Sequence, residues 1–143
     1  MIIFLAADHA GYELKEKIVK YLDDKGLDYK DYGTNTTERC DYNEAAKKVA
    51  EAVASNEADR GILICGTGVG MSIQANKQKG IRAALVHDVF TAEATRLHNN
   101  SNVLCMGGRI IGVSLAECIV ETWLKTEFSA EERHVRRVNK IEE

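Results

Sequence analysis

The sequence predicts a three-layer α/β/α sandwich around a five-stranded, mainly parallel sheet. Three observations carry this. Short apolar runs alternate with stretches of helical periodicity, the pattern of repeated βαβ units. The runs are apolar at consecutive positions rather than at every second one, as in strands covered on both faces. The polar punctuation, Asp8-His9, Cys65 to Gly70, His87-Asp88 and Gly107-Gly108-Arg109, follows the runs, where βα turns belong.

Ile2 to Ala7 is the first strand by these criteria. The helix after it carries Leu14, Ile18, Tyr21 and Leu22 on one face and stops at Gly26. Leu27 to Tyr32 is a more polar strand and therefore belongs near an edge. Gly33 to Asp41, rich in Thr, Asn and Gly, is a loop, and Tyr42 to Ala54 an alanine-rich helix. The third strand, Gly61 to Cys65, leads into a helix over 71–78, and Ile81 to Val86 is the fourth strand. Asp88 can cap a helix running to about His98. Asn102 to Met106 is the fifth strand. Two helices finish the chain, Val113 to Thr126 with Leu115, Ile119, Val120, Trp123 and Leu124 buried, and Ser129 to about Lys140, opened by the capping box Ser129-Ala130-Glu131-Glu132. Right-handed crossovers complete a Rossmann-like domain over 1–143.

Composition excludes several classes. With 45% hydrophobic and 29% charged residues the chain is that of an ordinary globular domain. A net charge of −3 argues against general nucleic-acid binding, so an anionic ligand needs a local basic cluster. The opening MIIFLAADHAG is too short and too soon polar for a membrane span or a signal peptide. Four cysteines occur singly, which suits reduced thiols and a cytoplasmic setting. No histidine has the spacing of a metal cluster.

The stretch GILICGTGVGM, residues 61–71, is the densest in possible chemistry. Gly66, Gly68 and Gly70 let the backbone approach a ligand and aim N–H groups at an anion or a developing oxyanion. No Lys follows the last glycine, so this is not a P-loop. Cys65 ends the strand, where α/β sheets bind ligands, although it could equally be a small buried hydrophobe. Asp8 by itself reads as a helix cap, and so does the His87-Asp88 pair. Arg133 and Arg137 are four apart, share a helical face and can grip one anion; the plainer reading is a solvated basic face. Arg109, in a glycine turn, is the third cation for such a site.

Asp8-His9-Ala10-Gly11-Tyr12, Cys65-Gly66-Thr67-Gly68-Val69-Gly70, His98-Asn99, Gly107-Gly108-Arg109 and the arginine pair together resemble ribose-5-phosphate isomerase type B. That family also holds allose-6-phosphate isomerases and galactose-6-phosphate isomerase subunits. The resemblance implies aldose–ketose isomerisation of ribose 5-phosphate, in the non-oxidative branch of the pentose phosphate pathway, through a cis-enediol and without metal or organic cofactor. It implies Cys65 as proton-transfer base, Asp8 and Thr67 as proton carriers between O1 and O2, and His98 as the group opening the furanose ring. The backbone of Gly66, Gly68, Val69 and Gly70 would hold the enediolate. Tyr42 would line the sugar and Asn99 hold a hydroxyl, with His9, Arg109, Arg133 and Arg137 on the phosphate. Each site would be shared between two subunits of a dimer or a dimer of dimers, His98, Asn99 and Arg109 coming from the neighbour. Asp41-Tyr42-Asn43-Glu44 departs from the family's frequent Asp-Tyr-Pro-Asp. A non-catalytic anion-binding α/β module is the alternative of another class.

Overall fold

The computed structural model describes residues 1–143. In chain order it contains β1 (Ile2–Ala7), α1 (Tyr12–Asp24), β2 (Asp28–Asp31), α2 (Tyr42–Ala54), β3 (Arg60–Cys65) and α3 (Val69–Ala75). These are followed by β4 (Ala83–Leu85), α4 (Val89–Asn99), β5 (Val103–Gly107), α5 (Val113–Lys125) and α6 (Glu132–Ile141). The five strands form one sheet of order β2-β1-β3-β5-β4. Every pairing is parallel, so the sheet is wholly rather than mainly parallel.

Alternation along the strands divides the core. Ile3, Leu5, Ile62, Ile64, Leu104 and Met106 face one side and pack with α1, α5 and Ala92 of α4. Phe4, Ala6, Leu63, Cys65, Val103 and Cys105 face the other and pack with α2 and α3. Ile119, Val120, Trp123 and Leu124 lie in the first of these layers, whereas Leu115, expected to be buried, is exposed; the indole is fully buried and donates from Nε1 to Ser101 Oγ at 2.9 Å. β2 occupies an edge, as its polar sequence predicts.

Three elements differ from expectation by more than one residue at an end, each for a local reason. β4 is shorter than 81–86 because Asn102 Oδ1 accepts the Arg82 N–H that would otherwise extend the ladder. α3 starts two residues early and ends at Ala75, where the next residue, Asn76, turns its amide onto both backbone groups of Ala83. The capping box does not form. Ala130 adopts φ +55, α6 starts at Glu132, and the Ser129 hydroxyl pairs with His134 Nδ1 at 2.7 Å, with only a long 3.4 Å bond from the N–H of Glu131, the residue before the helix.

Candidate active site

The order in which strands are added switches sides between β1 and β3, so the carboxyl ends of these two parallel strands open a crevice where ligands of such sheets bind. Cys65 closes β3 there and is 5% exposed. Gly68 donates its N–H to Cys65 Sγ at 3.1 Å. It does so from φ +78, and a Cβ at this position would lie 2.6 Å from Leu85 Cδ1 and 2.9 Å from the Met106 carbonyl carbon. Glycine is thus required twice, for conformation and for space.

The turns after β1, β3 and β5 interlock through similar approaches. A Cβ on Gly11 would stand 2.1 Å from the Ile64 carbonyl oxygen, and one on Gly107 would meet Thr67 Cα at 2.8 Å. Gly108 N–H donates to the Cys65 carbonyl, and Arg109 N–H to that of Gly66. The Arg109 side chain therefore lies against Gly66 of its own chain, apart from His98 and Asn99. Tyr42, at the start of α2, lays its ring on Gly70, where an added Cβ would meet Cζ at 2.7 Å. Thr67 is exposed and its Oγ1 accepts from Val69 N–H.

Asp8 is 6% exposed, and its Oδ1 accepts from the N–H groups of Ala10 and Gly11 at 2.9 and 3.1 Å. The capping reading of this residue is not met: Gly11 is the N-cap of α1 with no side-chain bond, and Asp8 uses one oxygen to close the turn ahead of the helix. His9 is tethered differently: Cys40 N–H donates to its Nδ1 at 3.2 Å. The other end of the same loop is pinned as well. Lys15, fully buried, forms an ion pair with Asp31 at 2.5 Å, and the other Asp31 oxygen accepts Gly33 N–H at 2.8 Å. His87 keeps the structural role expected of it. Its Nε2 accepts Gly107 N–H at 2.9 Å, and burial pushes its pKa below the ordinary value. Asp88 caps α4 through Thr91 N–H and hydroxyl.

The remaining candidates form a second cluster. His98, Asn99, Arg133 and Arg137 line an open cleft of about 450 Å³, together with His134, Val138 and Ile141. The Arg133–Arg137 pair thus shares the cleft that its spacing predicts, while Arg136 turns away to pair with Glu132 at 2.9 Å. No residue of the Cys65 turn borders this cleft.

A ribose/galactose isomerase family model matches residues 3–141. The chain belongs to the ribose/galactose isomerase family. It is 47% identical over 139 residues to ribose-5-phosphate isomerase B of Escherichia coli, covering 97% of this chain and 93% of that one. Among solved structures, ribose-5-phosphate isomerase B of Clostridium thermocellum superposes with a TM-score of 0.97 at 49% identity, over 99% of this chain and 95% of the other. The Thermotoga maritima ribose 5-phosphate isomerase gives 0.96 at 52% identity, over 99% and 97%.

Within this family architecture the sequence leaves several supporting residues without a role. Arg96 is buried and spans Asn100 Oδ1, the Ser101 carbonyl and the Thr126 carbonyl, fastening the end of α4 that bears His98; burial lowers its pKa to about 10. Arg82 donates to the carbonyls of Asn99 and Asn100 and pairs with Glu142 beyond α6. Arg96 and Lys15 do have a sequence signal: each sits on the apolar stripe of its helix, Arg96 four after Ala92 and Lys15 three before Ile18 and seven before Leu22. His134 has the same signal, four before Val138 on α6, but not its contacts, because its partners His98 and Ser129 lie outside that helix.

Proposed function

We propose that this protein interconverts D-ribose 5-phosphate and D-ribulose 5-phosphate with Cys65 as the base. The observation carrying the proposal is the Gly68 N–H held on Cys65 Sγ at 3.1 Å, at the mouth of a glycine turn beside Asp8. The N–H is directed at the sulfur, and the thiolate is the form of a cysteine that can accept a proton.

Ribose 5-phosphate is a furanose in water, because its 5-oxygen is esterified and only O4 can close a ring. His98, placed at the end of α4, exchanges the proton needed to release the open aldehyde, and Asn99 holds a hydroxyl. Cys65 then takes the C2 proton. The C2–H electrons form the C1–C2 double bond and the carbonyl pair moves onto O1, which is protonated. Loss of the O2 proton makes the ketone, and the proton on sulfur is delivered to C1. Asp8 has Oδ1 engaged by two N–H groups, leaving Oδ2 for proton traffic between O1 and O2 with Thr67. The backbone of Gly66, Gly68, Val69 and Gly70 stabilises the enediolate, an effect of about 3 to 4 kcal/mol per well-placed donor. Tyr42 bounds the sugar. His9, Arg109, Arg133 and Arg137 take the phosphate, whose binding holds the reacting carbons in place.

Since the Cys65 turn and the His98 cleft are separate surfaces of one chain, a second copy completes each site. Exposed apolar side chains around the carboxyl ends of β3, β4 and β5 support that pairing: Val69, Ile73, Phe90 and Ile110 are 44, 59, 79 and 55% exposed.

Cys65→Ala tests the base. Turnover should fall by about 10³-fold or more with the fold and inhibition by inorganic phosphate retained; unchanged turnover would sink the assigned base, whereas absence of turnover in the unaltered protein would leave a non-catalytic anion-binding module. Mixing Cys65→Ala with His98→Ala protein should regenerate intact sites in mixed dimers. Failure of the mixture to exceed either variant would place both residues in one chain's site. Comparing kcat/KM for ribose 5-phosphate and allose 6-phosphate sets the substrate length.

A further inference from the structure

The His98 cleft contains one imidazole that the proposed reaction does not use. His134 lies on α6 and is 5% exposed, although the arginines on either side of it in the cleft are solvent-facing. Its Nδ1 is 2.7 Å from Ser129 Oγ, and its Nε2 accepts from Arg133 Nε at 3.4 Å. Arg133 can only donate, so Nε2 must present a lone pair and Nδ1 must carry the proton, which it gives to Ser129. Both ring nitrogens are thereby committed, and the plane of the ring is set. That plane rests on His98: the ring centroids are 4.7 Å apart, with the planes inclined by 40°.

We propose that His134 is a positioning residue for ring opening, fixing the orientation of the His98 imidazole against the cyclic sugar. This rests on the assignment of His98 to ring opening. The arrangement explains two features otherwise without a purpose. Ser129 abandons the helix cap that its sequence context favours, and a histidine rather than an apolar residue fills the first buried position of α6, ahead of Val138. His134 needs to be neutral to accept from Arg133. Burial is the main cause holding its pKa below the ordinary imidazole value, with His98, Arg133 and Arg137 acting in the same direction and Glu131 opposing. Neutrality also spares His98 a second positive charge at ring-contact distance. A fixed neighbour matters because an imidazole that opens a ring must meet one ring oxygen at hydrogen-bond distance, and small displacements of such groups can cost about 10²-fold in rate.

The chemistry of the two substrates separates this role from a merely structural one. Ribose 5-phosphate must be opened before isomerisation. Ribulose 5-phosphate cannot close a furanose ring, because its 5-oxygen carries the phosphate, so exchange of its C1 hydrogen with solvent reports the Cys65 chemistry without His98. In His134→Gln the amide oxygen can still accept from Arg133, whereas the aromatic face against His98 is lost. The expected result is a kcat for ribose 5-phosphate lowered by about 10-fold or more. C1 deuterium incorporation from D2O into ribulose 5-phosphate, and inhibition by inorganic phosphate, should stay within about 3-fold of the unaltered enzyme. Equal losses in both reactions, or a loss in neither, overturn the positioning role. His98→Ala is measured alongside: if it keeps normal turnover of ribose 5-phosphate, the ring-opening assignment falls and this proposal with it. If it loses turnover while His134→Gln behaves as the unaltered enzyme, only the role of His134 is overturned.

Discussion

The backbone N–H of Cys40 donates to Nδ1 of His9 at 3.2 Å, across 31 positions of sequence. The bond decides where a neutral His9 carries its proton, since an accepting Nδ1 leaves the N–H at Nε2. In the proposed site that N–H is the phosphate donor. His9→Gln can place an amide near the Nε2 position, whereas His9→Asn reaches only as far as Nδ1. We expect His9→Asn to raise both KM and the phosphate inhibition constant by about 10-fold, the scale of one hydrogen bond to a charged group, with kcat less affected. His9→Gln should retain most of the affinity. Steady-state kinetics with phosphate as competitor check this, and equal losses in the two variants would remove the tautomer argument.

Gly68 should tolerate no side chain. Alanine there meets φ +78 together with contacts under 3 Å to Leu85 and the Met106 backbone. Strain and overpacking together predict a loss of about 2 to 4 kcal/mol in chemical denaturation. The N–H on Cys65 moves with the backbone, so the variant that does fold should also lose turnover. A Gly68→Ala protein of normal stability and activity would show that the turn can rebuild itself.

Arg137 and Arg136 offer a matched comparison on one helix. Arg137 faces the cleft with His98, while Arg136 pairs with Glu132 on the outer side. Arg137→Ala should weaken substrate and inorganic phosphate together by about 10- to 100-fold. Arg136→Ala removes only an exposed i,i+4 pair and should change stability by less than about 0.5 kcal/mol. Isothermal titration with phosphate separates the two cases; phosphate binding unaffected by Arg137→Ala would dismiss the clamp.

His87 predicts a pH dependence of stability. Its folded pKa lies below the unfolded value because burial disfavours the cation. Over the interval between the two values the unfolded chain binds more protons than the native one. The stability associated with neutral His87 is therefore complete above about pH 6.5 and is lost as pH falls through the lower folded value. His87→Gln preserves an acceptor for Gly107 N–H but cannot titrate. Its denaturation free energy should fall less steeply between about pH 7 and pH 5 than that of the unaltered protein. Parallel slopes would assign the acid sensitivity elsewhere, with His134 the next group to replace.

Much of this molecule is readable along the chain. Ile62-Leu63-Ile64 is apolar at every position because the strand is covered on both faces, and a helix packed on one side shows its stripe, as Leu14, Ile18 and Leu22 do. The same local logic puts Asp8, Cys65 and Gly107 at strand ends, and a spacing of four puts Arg133 and Arg137 in one cleft. Where a side chain competes with the backbone, local rules fail: Ser129 serves His134 rather than its helix, and Asn102 and Asn76 shorten β4 and stop α3.

The sequence by itself determined the layers, the depth of each strand and the residues at the strand ends, because a residue's own burial is written in the periodicity of its immediate neighbours. Only the tertiary structure decided which ends become partners. The order β2-β1-β3-β5-β4 brings Asp8 beside the Cys65 turn, sets Arg109 against Gly66 and leaves His98 in a different cleft with His134. Such adjacency depends on where each crossover lands and on backbone approaches that glycine alone permits, and neither leaves a signal within the span of one helix or strand.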